Sequence, residues 1–572
     1  MTGALLSCKF TLYITDSDMF DICLIQPPIE DFYRTAIRNI PLGLLSLGAS
    51  LKDAHNVRLL DLRRGKPRRM EIPEDLRDVK KYYRSEDASP FALYKHFSRF
   101  GLRSEDIAAA IPAHCGIFLI SALFSTYIYE ALEIVEIIRH KNSKAIIIAG
   151  GSGAMFHAEL FFLAGCNFVI RGEGEAACKR LMDELERSSP DFSSIPNLIW
   201  QKGGKVVENS IETIENIDEL SFADYSIPGT PTYMLKKKKH AMIMASRGCA
   251  HRCHFCCIHH VFGRKYRLRS PENILKEMEE KTAHGFRSFD FEDDHFGGNR
   301  QWLNELLDGI IERFSQYNLS LQAMNGITAS NLDENILVKM KKAGFEGLNL
   351  SLVTPDRIRQ KSLKRPFDTR HFVRIVRGAA KIGLKVTAYL IIGLPGDTPE
   401  DNLESILFLA DLPVLIGPSL YYLTPGTADF EEFKKETPEM ISPRCFRSGY
   451  FPYERREFSR TDAMTLFRIC RIINFLKATQ EYHYKLSEYR IENDSIVLPD
   501  KLSGKQSQIT LGFALLEILR QTGRIYGTGK KHGRQYPIIQ EIFDDDIVRR
   551  FLENYNFRIN GSTTIPFPSV PV

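Results

Sequence analysis

Short apolar runs alternate with amphipathic segments along two separate stretches of this chain, and that alternation restricts the fold more than any other feature. The first stretch holds "DICLIQPP" (21–28), "VRLLDL" (57–62), "GIFLISAL" (116–123), "KAIIIAGG" (144–151) and "NFVIRGEGE" (167–175). Helical spacing fills the gaps at 41–54, 126–140, 154–164 and 176–187. Runs apolar on both faces suit a parallel sheet covered by helices on either side. The expectation is an α/β, doubly wound Rossmann-like domain over 1–195, with ligands beyond the carboxyl ends of its strands. A polar, charge-rich tract at 63–112 interrupts the pattern and reads as an insertion.

A connector at 196–240 carries a small strand pair in "NLIWQKGGKVVEN". From 241 the alternation restarts with "AMIMAS", "SFDFED", "LSLQAM", "GLNLSL", "KVTAYLII" and "SLYYL". Helices are expected between them at 271–284, 300–314, 331–343, 368–382 and 399–410. Six such units predict a partial (β/α)6 barrel over 241–430, with its chemistry at the C-terminal strand ends. Residues 431–572 read as a mainly helical region that lids the barrel and selects the substrate, because 461–478 repeats apolar residues at three and four.

Composition narrows the function classes. Net charge is +5, with 44% hydrophobic and 26% charged residues, ordinary for a soluble globular protein. The basic runs "RRGKPRR" (63–69) and "KKKK" (236–239) read as solvated loop charge, so no nucleic-acid partner is expected. The first residues lack a signal-peptide layout, since acids precede any long apolar core. The most apolar window, 405–423, contains Asp411, Pro413 and Pro418 and reads as helix end, loop and strand, not a membrane span. Cys8, Cys23, Cys115, Cys166, Cys178, Cys445 and Cys470 stand alone, which fits a reducing cytoplasm.

The remaining four of eleven cysteines crowd into "SRGCAHRCHFCCIHH" (246–260). Cys249, Cys253 and Cys256 have C-x3-C-x2-C spacing, just after the first barrel strand. A closed zinc site takes four ligands, and an electron-transfer 4Fe–4S cluster takes four cysteines. Three thiolates leave a position for something other than protein. Zinc stays open on spacing alone, with His251, His254, His259, His260 or Cys257 as a fourth ligand.

"CAHRCHFC" resembles the CxxxCxΦC signature of the radical S-adenosylmethionine superfamily, with Phe255 as its aromatic position. The resemblance implies a 4Fe–4S cluster on Cys249, Cys253 and Cys256, with S-adenosylmethionine on the unique iron. Reductive cleavage would then give a 5′-deoxyadenosyl radical. Asp293 and Asp294 stand where the superfamily carries a GGE-like contact to the amino group of S-adenosylmethionine. Asn325 and Ser351 fall at strand ends where polar contacts are expected, and Gly393, Pro395 and Gly396 of "YLIIGLPGDTPED" resemble the fifth-strand motif on the adenine side.

"YYLTPGT" (421–427) resembles the cobalamin-binding branch of this superfamily. The first domain agrees: Ser121-Ala122-Leu123, then 26 residues, then Gly150-Gly151, is similar to the SxL and GG elements of cobalamin-binding domains. Where those domains carry DxHxxG, this chain has Asp61 and, in the histidine's place, Arg63. A protonated guanidinium cannot ligate cobalt, so cobalamin here is expected to lack a protein imidazole. The resemblance implies cobalamin-dependent methylation of an unactivated carbon. Alternatives are radical cyclisation, coupling or rearrangement with a vestigial cobalamin domain, or a non-catalytic cobalamin or iron–sulfur sensor. Implied partners are a small-molecule, lipid-like or peptide substrate and an electron donor such as flavodoxin or ferredoxin.

Overall fold

The strand β1 (Asp21–Gln26) is flanked in parallel on both sides, because its side chains from Ile22 to Gln26 are all buried. Its neighbours are β2 (Asn56–Asp61) and β3 (Ile117–Ser121); β4 (Ile146–Gly150) and β5 (Phe168–Ile170) continue the parallel sheet. Two antiparallel strands, β6 (Leu198–Lys202) and β7 (Lys205–Glu208), extend it to the order β7-β6-β5-β4-β3-β1-β2. Separate apolar clusters cover its two faces, as a doubly wound sheet requires. The computed structural model describes residues 19–33, 40–365, 367–436, 441–451, 453–481, 487–499, 502 and 504–555. The amino-terminal stretch read for a leader, with Cys8, lies outside them.

The second set of strands is β8 (Lys238–Ile243), β9 (Phe286–Phe291), β10 (Ser320–Gln322), β11 (Gly347–Val353), β12 (Lys385–Ile392) and β13 (Leu415–Leu420). β8-β9-β10 and β11-β12-β13 are each parallel. Parallel bridges Leu321–Phe345 and Ile327–Leu350 join the two halves into a partial barrel. The helices between them are Pro271–Ala283, Arg300–Phe314, Glu334–Ala343, Thr369–Lys381 and Pro399–Ala410. Local chemistry sets several starts: the side chains of Ser270, Asn299, Asp333, Asp368 and Thr398 each cap a helix. Among the described residues no helix is long and apolar enough to cross a membrane.

The tract at 63–112 folds against a different partner from the one its position suggests. Phe97–Phe100 pairs with Ile29–Asp31 and Arg68–Met70 in a small antiparallel sheet. Yet Leu76, Val79, Tyr82, Tyr83, Phe91 and Phe97 are buried in the core shared by the barrel and the C-terminal region. Tyr83 donates its hydroxyl to Gly449 O at 2.5 Å. The C-terminal region has long helices at Arg460–Glu481 and Gly504–Thr522. The region is mainly helical, as expected, and a four-stranded antiparallel sheet, including Ser495–Val497 and Gln535–Gln540, joins the helices. These strands are short and separated by turns, so helical periodicity in the neighbouring segments concealed them.

Glu541 ties the insertion to this region, accepting from Arg84 and pairing with Arg468 at 2.9 Å. All three are largely buried. Removing the anion strands two buried guanidinium groups, so Glu541→Ala is expected to cost about 3–5 kcal/mol. Urea unfolding followed by intrinsic fluorescence checks this; an unmoved transition would show that the network has no net stabilising role.

Candidate active site

The carboxyl ends of both parallel sheets face one cavity of about 1540 Å³. A pocket for a single drug-sized ligand spans roughly 300–1,000 Å³, so this one has room for more than one. Ser121, Gly150, Gly151 and Arg63 come from the first domain; Phe255, Cys256, Asp294 and Asn325 from the barrel; Arg447 and Ser448 from the C-terminal region.

On the first-domain side, Ser121 and Gly150 are register partners at the ends of β3 and β4. Gly151 has φ +104°, and a β-carbon there would sit 2.6 Å from Ala122 O. A β-carbon at Gly153 would be 2.7 Å from the carbonyl oxygens of Ala122 and Phe124. The backbone is therefore closed up on itself beside Ser121, leaving a smooth ledge. Leu44, Leu47, Leu119, Ile148 and Ile170 line the cavity on the same domain's side and make that part of the wall apolar. Leu123, 44% exposed, also lines the cavity. Such a wall fits an elongated ligand tail lying against backbone.

Arg63 lines the cavity, with Nε donating to Pro27 O at 3.0 Å. Asp61 does not reach the cavity wall. Its carboxylate accepts from Gln26 (3.3 Å), the Arg63 backbone (3.0 Å) and the Tyr233 hydroxyl (2.9 Å). Burial lowers the Arg63 pKa, opposed by Tyr127, Asp61 and Glu130. Glu130 is fully buried, neither of its side-chain oxygens has a hydrogen-bond partner, and burial pushes its pKa up to about 7.

On the barrel side the three cysteines of the spacing motif share one loop and are near enough for Cys253 to raise the pKa of both Cys249 and Cys256. Cys256 lines the cavity, Cys249 Sγ is 3.4 Å from His295 Nδ1, and Cys253 Sγ is 3.7 Å from Arg365 Nη1. Burial raises the pKa of Cys249 and pushes Cys256 up to about 12, so bound cationic iron is what would stabilise the thiolates there. Among the described residues no three His, Cys, Asp or Glu side chains converge closely enough to hold a single metal ion. A cubane cluster spreads its thiolate ligands wider than one ion does, and fits this loop better than mononuclear zinc. Cys257 also lines the cavity, and burial pushes its pKa up to about 11.

The paired aspartates separate. Asp294 faces the cavity, whereas Asp293 is 1% exposed and accepts from Ser246 Oγ and from Ala245 N at 3.3 Å. Asn325 and Phe255 reach the cavity; Ser351, Gly393, Pro395 and Gly396 are not part of its wall. Ser351 precedes a register shift in β11. The Gly-Leu-Pro-Gly turn is held by Asp397, which accepts from Leu394 N (3.0 Å) and Asn402 Nδ2 (2.7 Å). A β-carbon at Gly393 would lie 2.5 Å from the Phe451 ring, so packing accounts for that glycine.

Sequence reasoning missed His295, Arg365 and the link between domains. Arg247, two residues before Cys249, donates to Glu173 (2.9 Å) and to both oxygens of Glu175 (2.5 and 3.2 Å). Arg267 donates to Glu173 at 2.8 Å, and Ser46 to Glu175 at 2.9 Å. Burial raises the Glu175 pKa, but Arg247 draws it below the usual carboxylate range. "RGEGE" carried the acids in plain view; only folding reveals their cation.

Residues 243–409 match the radical SAM superfamily model, and residues 96–182 the B12 binding domain model. The chain is a radical SAM enzyme with a B12-binding domain. Its cofactors are those of the two domains: a 4Fe–4S cluster with S-adenosylmethionine, and cobalamin. It is 25% identical over 401 residues to an uncharacterised methyltransferase of Pyrococcus horikoshii, covering 69% of this chain and 78% of that protein. It is 29% identical over 225 residues to the hopanoid C-2 methylase of Rhodopseudomonas palustris, covering 38% of this chain and 42% of that protein. The fold is similar to that of the methyltransferase TsrM from Kitasatospora setae, solved with cobalamin and a 4Fe–4S cluster bound. That likeness has TM-score 0.59 and 17% identity, over 82% of this chain and 96% of that one.

Two predictions follow from the buried charges around the cavity. Arg247→Met leaves Glu173 with Arg267 but strips Glu175 of its cation, an expected loss of about 3–5 kcal/mol. Faster proteolysis of the connector at 209–232, with an earlier unfolding transition, is the readout; unchanged values would refute a clamping role. Glu130 binds its proton more tightly folded than unfolded, so its contribution favours the fold below pH 4.5 and is lost as pH rises toward 7. Glu130→Gln should remove that slope and leave the variant about 3 kcal/mol more stable than the parent at pH 8. Equal pH dependence of unfolding in both proteins would rule this out.

Proposed function

We propose that this enzyme is a cobalamin-dependent methyltransferase that acts on an unactivated carbon of an apolar small molecule, within the methyltransferase and cyclase family to which it belongs. One observation carries the reading: the cysteine loop and the Ser121/Gly150/Gly151 ledge open into the same cavity. Cluster-bound S-adenosylmethionine supplies a route to a carbon-centred radical, and cobalamin a methyl carrier.

Cys249, Cys253 and Cys256 would hold the cluster. Asp294 and Asn325 line the cavity on the same side as Cys256, where a carboxylate and an amide can accept from an ammonium group. Phe255 packs between the barrel core and the cavity, excluding water from the loop. Ser121, Gly150 and Gly151 would hold the nucleotide tail, with Leu123 beside them. Arg63, positioned by the Asp61 carboxylate, offers no imidazole to cobalt, consistent with a corrin carried without a protein ligand below the metal.

The substrate would meet the rest of the wall. Met324 is 46% and Tyr422 38% exposed there, beside Tyr389 and Phe446. Exposed apolar groups concentrated in a cavity favour an apolar or lipid-like substrate over a charged peptide. Arg447 closes the C-terminal side by donating to Glu30 O at 2.8 Å. The ten described cysteines are all free thiols, which supports placement in a reducing cytoplasm.

Anaerobic purification from cells supplied with cobalamin tests the reading: near-stoichiometric corrinoid and about four iron atoms per chain are expected. Cys253→Ala should abolish 5′-deoxyadenosine formation under a chemical reductant, whereas Cys257→Ala should keep the iron. Iron without corrinoid after reconstitution would overturn methyl transfer and favour cyclisation or rearrangement. Cleavage retained by Cys253→Ala would overturn the ligand assignment.

A further inference from the structure

An electron for the cluster must come from outside the cavity that would hold the organic ligands, and two of the proposed cluster ligands have different surroundings. Cys256 belongs to the cavity wall, while Cys253 does not and instead receives Arg365 Nη1 at 3.7 Å. Arg365 lies in the segment between β11 and β12, at the barrel mouth. From 356 to 381 this segment holds nine lysines and arginines against two aspartates, in a chain whose whole net charge is +5. This segment is thus one of the strongly basic stretches of the chain, and through Arg365 it touches the cysteine loop.

Local pairing does not neutralise it. Arg359 is engaged with Asp397 and Asp401, but Arg357, Lys361 and Lys364 are exposed, and so is Arg252 beside Cys253. Ile358, on the short helix Arg357–Ser362, is 79% exposed, an extreme value for a large apolar side chain in this chain. An exposed apolar residue ringed by cations is the pattern of a docking surface for an anionic protein: the charges steer and orient, and the apolar side chain supplies the buried centre.

We propose that Arg252, Arg357, Ile358, Lys361 and Lys364 form the docking face for an acidic one-electron carrier protein, with Cys253 on the entry side of the cluster. This rests on the cluster assignment made above. One electron leaves the carrier and enters the cluster; no bond forms or breaks, and no proton crosses the interface. Reductant arrives on the Cys253 side while the organic ligands occupy the Cys256 side, so delivery does not compete with substrate for the cavity.

Flavodoxin is the probe, and cluster-loaded enzyme the target. Labelled flavodoxin should bind with an affinity that falls steeply between 50 and 300 mM salt, order-of-magnitude limits chosen to span the screening range. The charge reversal Arg357→Glu/Lys361→Glu/Lys364→Glu should weaken binding at least about tenfold and slow cluster bleaching by reduced flavodoxin to a similar degree. Iron content and bleaching by dithionite should stay at the parent level. Equal flavodoxin binding by parent and variant, or parent binding indifferent to salt, overturns the proposal. If the triple variant loses iron, Ile358→Ser and Lys361→Glu decide singly: undiminished binding by both overturns it. Failure of the functional reading is recognised separately, because parent enzyme would then hold no cluster iron whatever its affinity for flavodoxin.

Discussion

The guanidinium of Arg247 is the contact on which the arrangement of this enzyme depends. It sits on the barrel, two residues before the first cysteine, and its partners Glu173 and Glu175 sit beyond β5 of the first domain. Buried ion pairs contribute little net stability, because desolvation offsets most of their attraction. They do penalise every arrangement in which the charges fail to meet. Sliding one domain against the other would leave two carboxylates and a guanidinium unpaired away from water. The pair therefore fixes where the cysteine loop stands relative to the Ser121/Gly151 ledge.

That fixed relation explains why one cavity can serve two cofactors. In a doubly wound sheet and in a (β/α) barrel alike, ligands gather at the carboxyl ends of parallel strands. Placing both sets of strand ends against one another merges two shallow openings into a space of about 1540 Å³. The C-terminal region then covers it, with Arg447 bonded to the carbonyl oxygens of Glu30 and Thr126 in the first domain. The 63–112 tract supports that cover from the outside, through Tyr83, Arg84 and its buried aromatic side chains.

Charges of both signs reach the cysteine loop. Asp294 and Arg365 both act on Cys249, Asp294 acts on Cys256, and Arg365 contacts Cys253. Arg247 is buried at the cavity and paired with carboxylates of the first domain, whereas the partly buried Arg63 donates its guanidinium to Pro27 O. A chain with 26% charged residues thus uses a small number of buried charges to hold its domains.

Much of the fold was legible in the chain because its strands are buried on both faces and its helices carry capping residues, both local properties. The C-x3-C-x2-C loop was equally legible, since cluster ligation needs a specific residue type at a specific spacing. Ser121 and Gly150 were found through their resemblance to the SxL and GG elements, and adjacent parallel strands bring the two level. The sequence could not show that Asp293 turns inward to Ser246 while Asp294 faces the cavity, for neighbouring side chains on a loop have no periodicity to assign them. Nor could it show that Gly393 yields to Phe451, or that the polar 63–112 tract packs with a region more than 350 residues away. Residue type and local spacing by themselves determined the alternation of strands and helices and the crowding of cysteines at 249–257. The cluster reading of those thiols and the choice of Ser121, Gly150 and Gly151 came from the family resemblance. Tertiary structure decided which acid faces the cavity, which cation joins the domains and which side chains meet the cysteine loop, because each of these depends on groups distant in the chain meeting where water is excluded.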